Sequence, residues 1–219
     1  MKEAASIADQ RYMDGNARPL EGVPIGIKDN IDTTDSPTTA GSPALTDNWS
    51  KFDSQIWTRL RDHLGCISAG KTNMNEFALG TTTYNEHYGH ARNAYDETRI
   101  AGGSSGGSAG LVGTGAIPAA LGTDHSGSNR IPAAFNGCVG YRPTVNRWPC
   151  EYGVKSTHVK DTCGPITQNL DDLVLIDELV TETRHKELPA LKNITVLVPK
   201  IHFQESLDSA VETRMHEVL

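Results

Sequence analysis

The chain has 219 residues, enough for one substantial core, and this length predicts a single domain. With 20 Lys+Arg against 27 Asp+Glu and no basic run, nothing points to a surface that tracks nucleic-acid phosphates. No stretch reaches the roughly 18–20 apolar residues that span a bilayer, and the polar start lacks a signal peptide's apolar core, so a soluble, cytoplasmic protein is expected.

Residues 2–13 read as a helix ended by Asp14-Gly15-Asn16, and Val23 to Ile27 as a short strand entering the core. Asp29 to Ser42, rich in Asp, Thr and Pro, reads as a long loop. From Asp53, the recurrence of Ile56, Leu60 and Leu64 marks one helical face, with Gly65 as its stop. Cys66 to Gly70 reads as a buried strand. Asn73 to Leu79 reads as a helix start, with Glu76 three residues after Asn73 as in a capping box. Ser108 to Ile117 suits a small-residue helix packed closely on a sheet, and strands are expected at Ala119–Thr123 and Cys138–Tyr141. Leu170 to Val180 is an apolar helix opened by Asp171 and Asp172; a strand over 194–198 and a helix from Asp208 follow. Strands and helices alternate, so the fold class is α/β, a sheet with helices on its faces. The four cysteines, Cys66, Cys138, Cys150 and Cys163, lack C-x-x-C spacing and read as structural thiols.

The 21 glycines concentrate between Gly102 and Gly140, which indicates a site built from backbone. Gly102 to Ser108 alone would pass for a flexible linker, but a packed helix, a strand and a second Gly/Ser turn follow it. No phosphate-loop or dinucleotide fingerprint is present. G-x-S-x-G occurs twice, centred on Ser104 and Ser105, yet the preceding Tyr95 to Ile100 is loop chemistry, whereas a nucleophile elbow follows a buried strand. Ser68-Ala69-Gly70-Lys71 matches S-x-x-K without its companion motifs. None of the eight histidines sits in a metal-binding pattern, and no cofactor is implied.

Five spaced blocks resemble the amidase-signature family. They are Gly102-Gly103-Ser104-Ser105-Gly106-Gly107-Ser108, Gly122-Thr123-Asp124-x-x-Gly127-Ser128-x-Arg130-Ile131-Pro132-Ala133, the upstream Gly22-Val23-Pro24-Ile25-Gly26-Ile27-Lys28-Asp29-Asn30, Lys71-Thr72-Asn73-Met74, and Gly164-Pro165-Ile166-Thr167. The resemblance implies a mixed central sheet covered by helices on both faces. It further implies amide hydrolysis with Ser128 as nucleophile, Ser104 as bridging serine after a cis peptide bond from Gly103, and Lys28 as base. A serine hydroxyl needs a base within reach, and a lysine serves only when desolvation keeps it neutral. Outside such a site Lys28 would be a surface residue paired with Asp29 or Asp32. The resemblance also implies an oxyanion hole from the backbone N–H groups of His125, Ser126, Gly127 and Ser128, and bracing by Asp124 and Arg130.

Within the family, Arg130-Ile131-Pro132 differs from the Arg-Gln-Pro usual in glutaminase subunits of tRNA-dependent amidotransferases. Gly140 to Thr144, Arg147-Trp148 and Ser156-Thr157-His158-x-x-Asp161-Thr162 resemble indoleacetamide hydrolases, which implies an aryl-acetamide such as indole-3-acetamide as substrate. Two departures stand out. His125-Ser126 replaces the usual Thr-Gly, and a serine would resist a positive φ there. Asn129 replaces an aliphatic residue, placing an amide where core packing is expected. Family members resembling this chain are about twice as long, so residues 1–219 read as one partial, C-terminally truncated domain ending after Phe203-x-Glu205-x-Leu207-Asp208. The competing expectations are a glutaminase-type subunit, and a weak or inactive fragment or pseudoenzyme. The partners such a piece implies are a second copy in a homodimer, or another chain supplying the absent half.

Overall fold

The computed structural model describes residues 1–149, 151, 153–157, 159–184, 190–198 and 206–218. Cys150, His158, Phe203 and Glu205, singled out in the sequence, lie outside the described residues. The chain forms two units, Met1–Arg184 and His185–Leu219.

The first unit is built on five strands: β1 (Pro24–Lys28), β2 (Ile67–Thr72), β3 (Ala119–Asp124), β4 (Val139–Gly140) and β5 (Thr162–Thr167). Their order is β2-β1-β3-β5-β4, with β1 parallel to both β2 and β3, and β5 antiparallel to β3 and β4. The sheet is therefore mixed. Side chains alternate across it, so β3 sends Ala119 and Leu121 to one face and Ala120 to the other.

On the first face Leu121, Ile25, Ile27 and Cys163 pack with Ile56, Trp57 and Leu60 and with Ile176 and Val180. The first three of these helical residues belong to helix α2 (Gln55–Thr58) and the wider π-type turn, Arg59–His63, that continues it. The last two belong to helix α5 (Leu170–Thr181), capped by the Asn169 side chain, which accepts from Asp172 N–H at 2.9 Å. On the second face Ala120 and Ile166 meet Ala109 and Val112 of helix α3 (Gly106–Gly113) and Ala133 of helix α4 (Arg130–Phe135). The small residues of α3 allow close packing. A Cβ on Gly107 would stand 2.5 Å from the Asn73 backbone nitrogen, so this helix could not settle onto the Lys71–Asn73 backbone with any larger residue. The amino-terminal helix α1 (Lys2–Met13) ends as expected, with Gly15 at φ 69°.

Three elements differ from expectation. Asn73 to Leu79 is not a helix: only Glu76–Ala78 makes a short 3-10 turn, and Phe77 and Ala78 take positive φ. Asn75, not Asn73, precedes it, and the Asn73 carboxamide instead accepts from Met74 N–H at 2.8 Å. In the second unit, residues 194–198 form no strand, and Val196 and Leu197 are exposed. Apolar sequence favours a strand only when a neighbouring ladder receives it. That unit does contain a 3-10 turn, Leu191–Asn193, and helix α6 (Ser209–Val218), close to the helix expected from Asp208. The third difference is β5, whose Gly164-Pro165 interrupts any alternating pattern.

Asp177 of α5 is fully buried and accepts from Trp148 Nε1 at 2.8 Å and from the Arg147 guanidinium, fastening the segment before β5 to the first-face core. Asp177→Ala is expected to destabilise the fold by about 2–3 kcal/mol, because buried donors lose a charged acceptor. A chemical-denaturation midpoint unchanged from wild type would contradict this.

Candidate active site

The C-terminal ends of β1 and β3 bring the site together. Lys28, the last residue of β1, is fully buried. Its Nζ donates to Ser104 Oγ at 2.7 Å, to Thr123 Oγ1 at 2.9 Å and, more weakly, to the Thr123 carbonyl at 3.4 Å. Its surroundings are thus neutral hydroxyl and carbonyl groups, and the surface pairing with Asp29 or Asp32 does not occur. Burial pushes the Lys28 ammonium from its usual value down to about 7, with the negative charge of Asp124 opposing the shift. Near neutral pH a large share of this amine is the free base.

Ser104 lies in the turn before α3, and the Gly103–Ser104 peptide bond is cis. Ser105 N–H donates to the Ser128 carbonyl at 3.2 Å, which ties the two Gly/Ser turns to each other. Ser128 follows Gly127, is 9% exposed, and makes no side-chain hydrogen bond among the described residues. It opens onto a cleft of about 410 Å³, lined also by Ala78, Leu79, His125, Ser126 and Ile131. The structure therefore joins Lys28 directly to Ser104 and places Ser128 on the neighbouring Gly/Ser turn, lining the cleft.

Asp124, at the end of β3, is the hub of the nucleophile turn. Its oxygens accept from Gly127 N–H at 2.7 Å, from Asn129 N–H at 3.1 Å, and from Arg130 Nε and Nη2 at 3.1 and 3.0 Å. Burial raises the Asp124 carboxyl, but the Arg130 hydrogen bonds and the two N–H groups together outweigh it and hold it below the ordinary carboxylate value. Of the N–H groups expected to form the oxyanion hole, that of Gly127 is therefore committed to Asp124. Those of His125, Ser126 and Ser128 donate to no described residue.

Both departures in the turn are accommodated. The positive φ falls on Gly127, at 133°, and not on Ser126, so the serine meets no backbone conflict. Asn129 is fully buried, but its amide donates to the Tyr141 carbonyl at 3.1 Å and the Gly164 carbonyl at 3.3 Å and accepts from Ser105 Oγ at 3.2 Å. The expected packing defect is a satisfied polar junction instead.

Several participants were not expected from the sequence. Thr123 shares Lys28 Nζ with Ser104, and Asn30 Nδ2 donates to Thr123 Oγ1 at 3.1 Å. Both residues stand inside the family-like sequence blocks, yet no local pattern signals a contact between positions so far apart. His125 Nδ1 lies 2.6 Å from Asp161 Oδ1. Cys66 and Cys138 are free thiols, and among the described residues no group of His, Cys, Asp and Glu is arranged to hold a metal ion.

The mixed sheet with helices on both faces and the two Gly/Ser turns meeting over a buried lysine are those of an amide-hydrolase fold. The family model described as Amidase matches residues 1–213, and the chain belongs to the amidase family. It is 45% identical over 203 residues to mandelamide hydrolase of Pseudomonas putida, covering 89% of this chain and 39% of that protein. It is 39% identical over 232 residues to a glutamyl-tRNA(Gln) amidotransferase subunit of Lacticaseibacillus casei, covering 97% of this chain and 46% of that protein. Among solved structures, the peptide amidase of Stenotrophomonas maltophilia superposes with a TM-score of 0.73 at 30% identity, over 85% of this chain and 41% of that one. The chain thus spans less than half the length of these relatives.

Asp124→Asn is expected to destabilise the chain by about 2–3 kcal/mol, since two backbone donors and a guanidinium lose their charged acceptor. Because the carboxyl is held below its unfolded value, its contribution is present above the ordinary carboxylate range and lost as pH falls through the folded pKa. Equal acid-unfolding profiles for wild type and variant would contradict this assignment.

Proposed function

We propose that this chain is part of one amidase-signature domain that hydrolyses a small aryl-substituted carboxamide to the acid and ammonia. The observation that carries the reading is the hydrogen bond from fully buried Lys28 to Ser104, in the turn that Ser105 N–H ties to the turn of Ser128 in its cleft. In this scheme Ser128 Oγ attacks the amide carbonyl, and its proton passes through Ser104 to neutral Lys28. The C–N bond then breaks as the same proton returns to the leaving nitrogen, releasing ammonia and leaving an acyl ester on Ser128. Water attacks that ester by the reverse proton route and frees the acid. The N–H groups of His125, Ser126 and Ser128 stabilise the oxyanion, while Asp124 and Arg130 hold the turn and Gly127 N–H with it.

The apolar cleft wall of Ala78, Leu79 and Ile131 favours an aryl acyl group, such as that of indole-3-acetamide or mandelamide. Glutaminase activity within a tRNA-dependent amidotransferase is the second reading. The 39% identity to a protein of that assembly favours it, and Arg130-Ile131-Pro132 disfavours it. The free thiols of Cys66 and Cys138 suit a reducing, cytoplasmic setting, and no helix among the described residues is long and apolar enough to cross a membrane.

Ammonia release from indole-3-acetamide, mandelamide, phenylacetamide and glutamine is the direct test. Ser128→Ala and Lys28→Ala are each expected to lower kcat/KM by about 10³-fold or more. Release that persists in either variant sinks the scheme, and preference for glutamine selects the second reading.

The required form of Lys28 is the free base, whose fraction falls as pH drops below about 7. The expected kcat/KM therefore climbs with pH up to about 7 and levels above it. A profile flat across that range would remove Lys28 from the role of base.

A further inference from the structure

Among the described residues, His125 is the one ionisable side chain lining the cleft, and the proposed hydrolysis leaves that side chain without a task. It is one-third exposed, and its Nδ1 lies 2.6 Å from Asp161 Oδ1. Asp161 is itself firmly placed: its side chain is nearly buried, and Oδ2 accepts from Ser156 N–H at 2.6 Å and Thr157 N–H at 3.1 Å. Ser156 and Thr157 line the same cleft, so one carboxylate ties together two parts of its wall. Burial raises the Asp161 carboxyl, but the His125 hydrogen bond and the two N–H groups outweigh it and keep it ionised.

An ionised carboxylate only accepts hydrogen bonds, so in the neutral ring the proton sits on Nδ1 and Nε2 carries the lone pair. Nε2 makes no hydrogen bond among the described residues. In its neutral form the ring is thus locked by one nitrogen and presents the other as an acceptor, three residues from Ser128 in the same cleft.

We infer that His125, oriented by Asp161, is a specificity-determining residue whose Nε2 accepts a hydrogen bond from a hydroxyl or N–H group on the acyl half of the amide. This rests on the amidase reading above and narrows its substrate class to amides whose acyl group carries a donor near the carbonyl. A donor-bearing substrate satisfies Nε2, whereas an analogue without the donor covers the acceptor from water and leaves it unpaired, and sites of this kind discriminate well. Asp161 is a positioning residue that acts through the ring.

Mandelamide and phenylacetamide differ by a single hydroxyl next to the carbonyl and make a matched pair. Wild type is expected to prefer mandelamide in kcat/KM by about tenfold, the worth of one well-placed hydrogen bond. In His125→Phe, which keeps the ring volume and the backbone N–H, the preference is expected to fall to about threefold or less. In Asp161→Asn the ring is no longer held in one tautomer, and the preference is expected to fall although His125 remains. A purely structural role would depress both amides alike and leave their ratio unchanged, which would overturn the inference.

Binding without turnover separates this from the hydrolytic scheme. In Ser128→Ala, nitrogen NMR of the histidine rings is expected to show Nδ1 protonated in His125, and Nε2 is expected to shift with mandelamide and not with phenylacetamide. The same Nε2 response to both amides, or to neither, would overturn the inference even with hydrolysis established. The specific response in a protein that hydrolyses neither amide would support it and count against the scheme.

Discussion

A lysine held in a dry, neutral setting is the constraint around which the site is organised. Lys28 Nζ meets two hydroxyls and one carbonyl, all uncharged, and is fully buried. Taking an ammonium out of water is unfavourable, and without an ion pair the group releases its proton more readily. That setting depends on long-range assembly. β1 has to pair with β3 to bring Thr123 beside Lys28, and α3 has to lie close on the second face to present Ser104. The closeness depends in turn on Gly107, which lets the start of α3 rest on the Asn73 backbone. Glycine-rich sequence in the middle of a folded unit is thus explained by the need to dehydrate one amine.

Much of this was legible in the sequence, because the blocks around Lys28, Ser104 and Ser128 hold several residue identities at fixed spacing. The helices with clear apolar periodicity, such as the one carrying Ile56 and Leu60, were legible as well. Elements whose form is imposed from outside were not. Asn73 to Leu79 has a capping-box spacing, but its backbone is pulled into turns by hydrogen bonds such as Phe77 N–H to the Ala40 carbonyl at 2.8 Å. β5 contains Gly164 and Pro165, poor strand formers, and it exists because β3 and β4 flank it. Residues 194–198 show the converse, strand-like composition with no ladder. The same logic governs the site: Thr123, Asn30 and Asp161 take part through contacts across the fold, and such contacts leave no periodic signal.

Two carboxylates divide the work of holding the turn that carries Ser128. Asp124 grips it through Gly127 N–H, Asn129 N–H and Arg130. Asp161 holds it through the ring of His125, which lines the cleft. Between them the turn is fixed by charge-assisted hydrogen bonds at both ends, which are shorter and stronger than neutral ones. This explains why His125, Ser126 and Asn129, each unusual for the family, do not disturb the geometry. Gly127 retains the positive φ, Asn129 finds acceptors in the Tyr141 and Gly164 carbonyls, and His125 acquires Asp161 as a partner. A residue that looks misplaced in one dimension is here a residue whose partner comes from another strand or loop. The His125-Ser126 departure therefore alters what the cleft presents to a ligand, Asn129 stays buried, and the scaffold that positions Ser104, Ser128 and Lys28 is left intact.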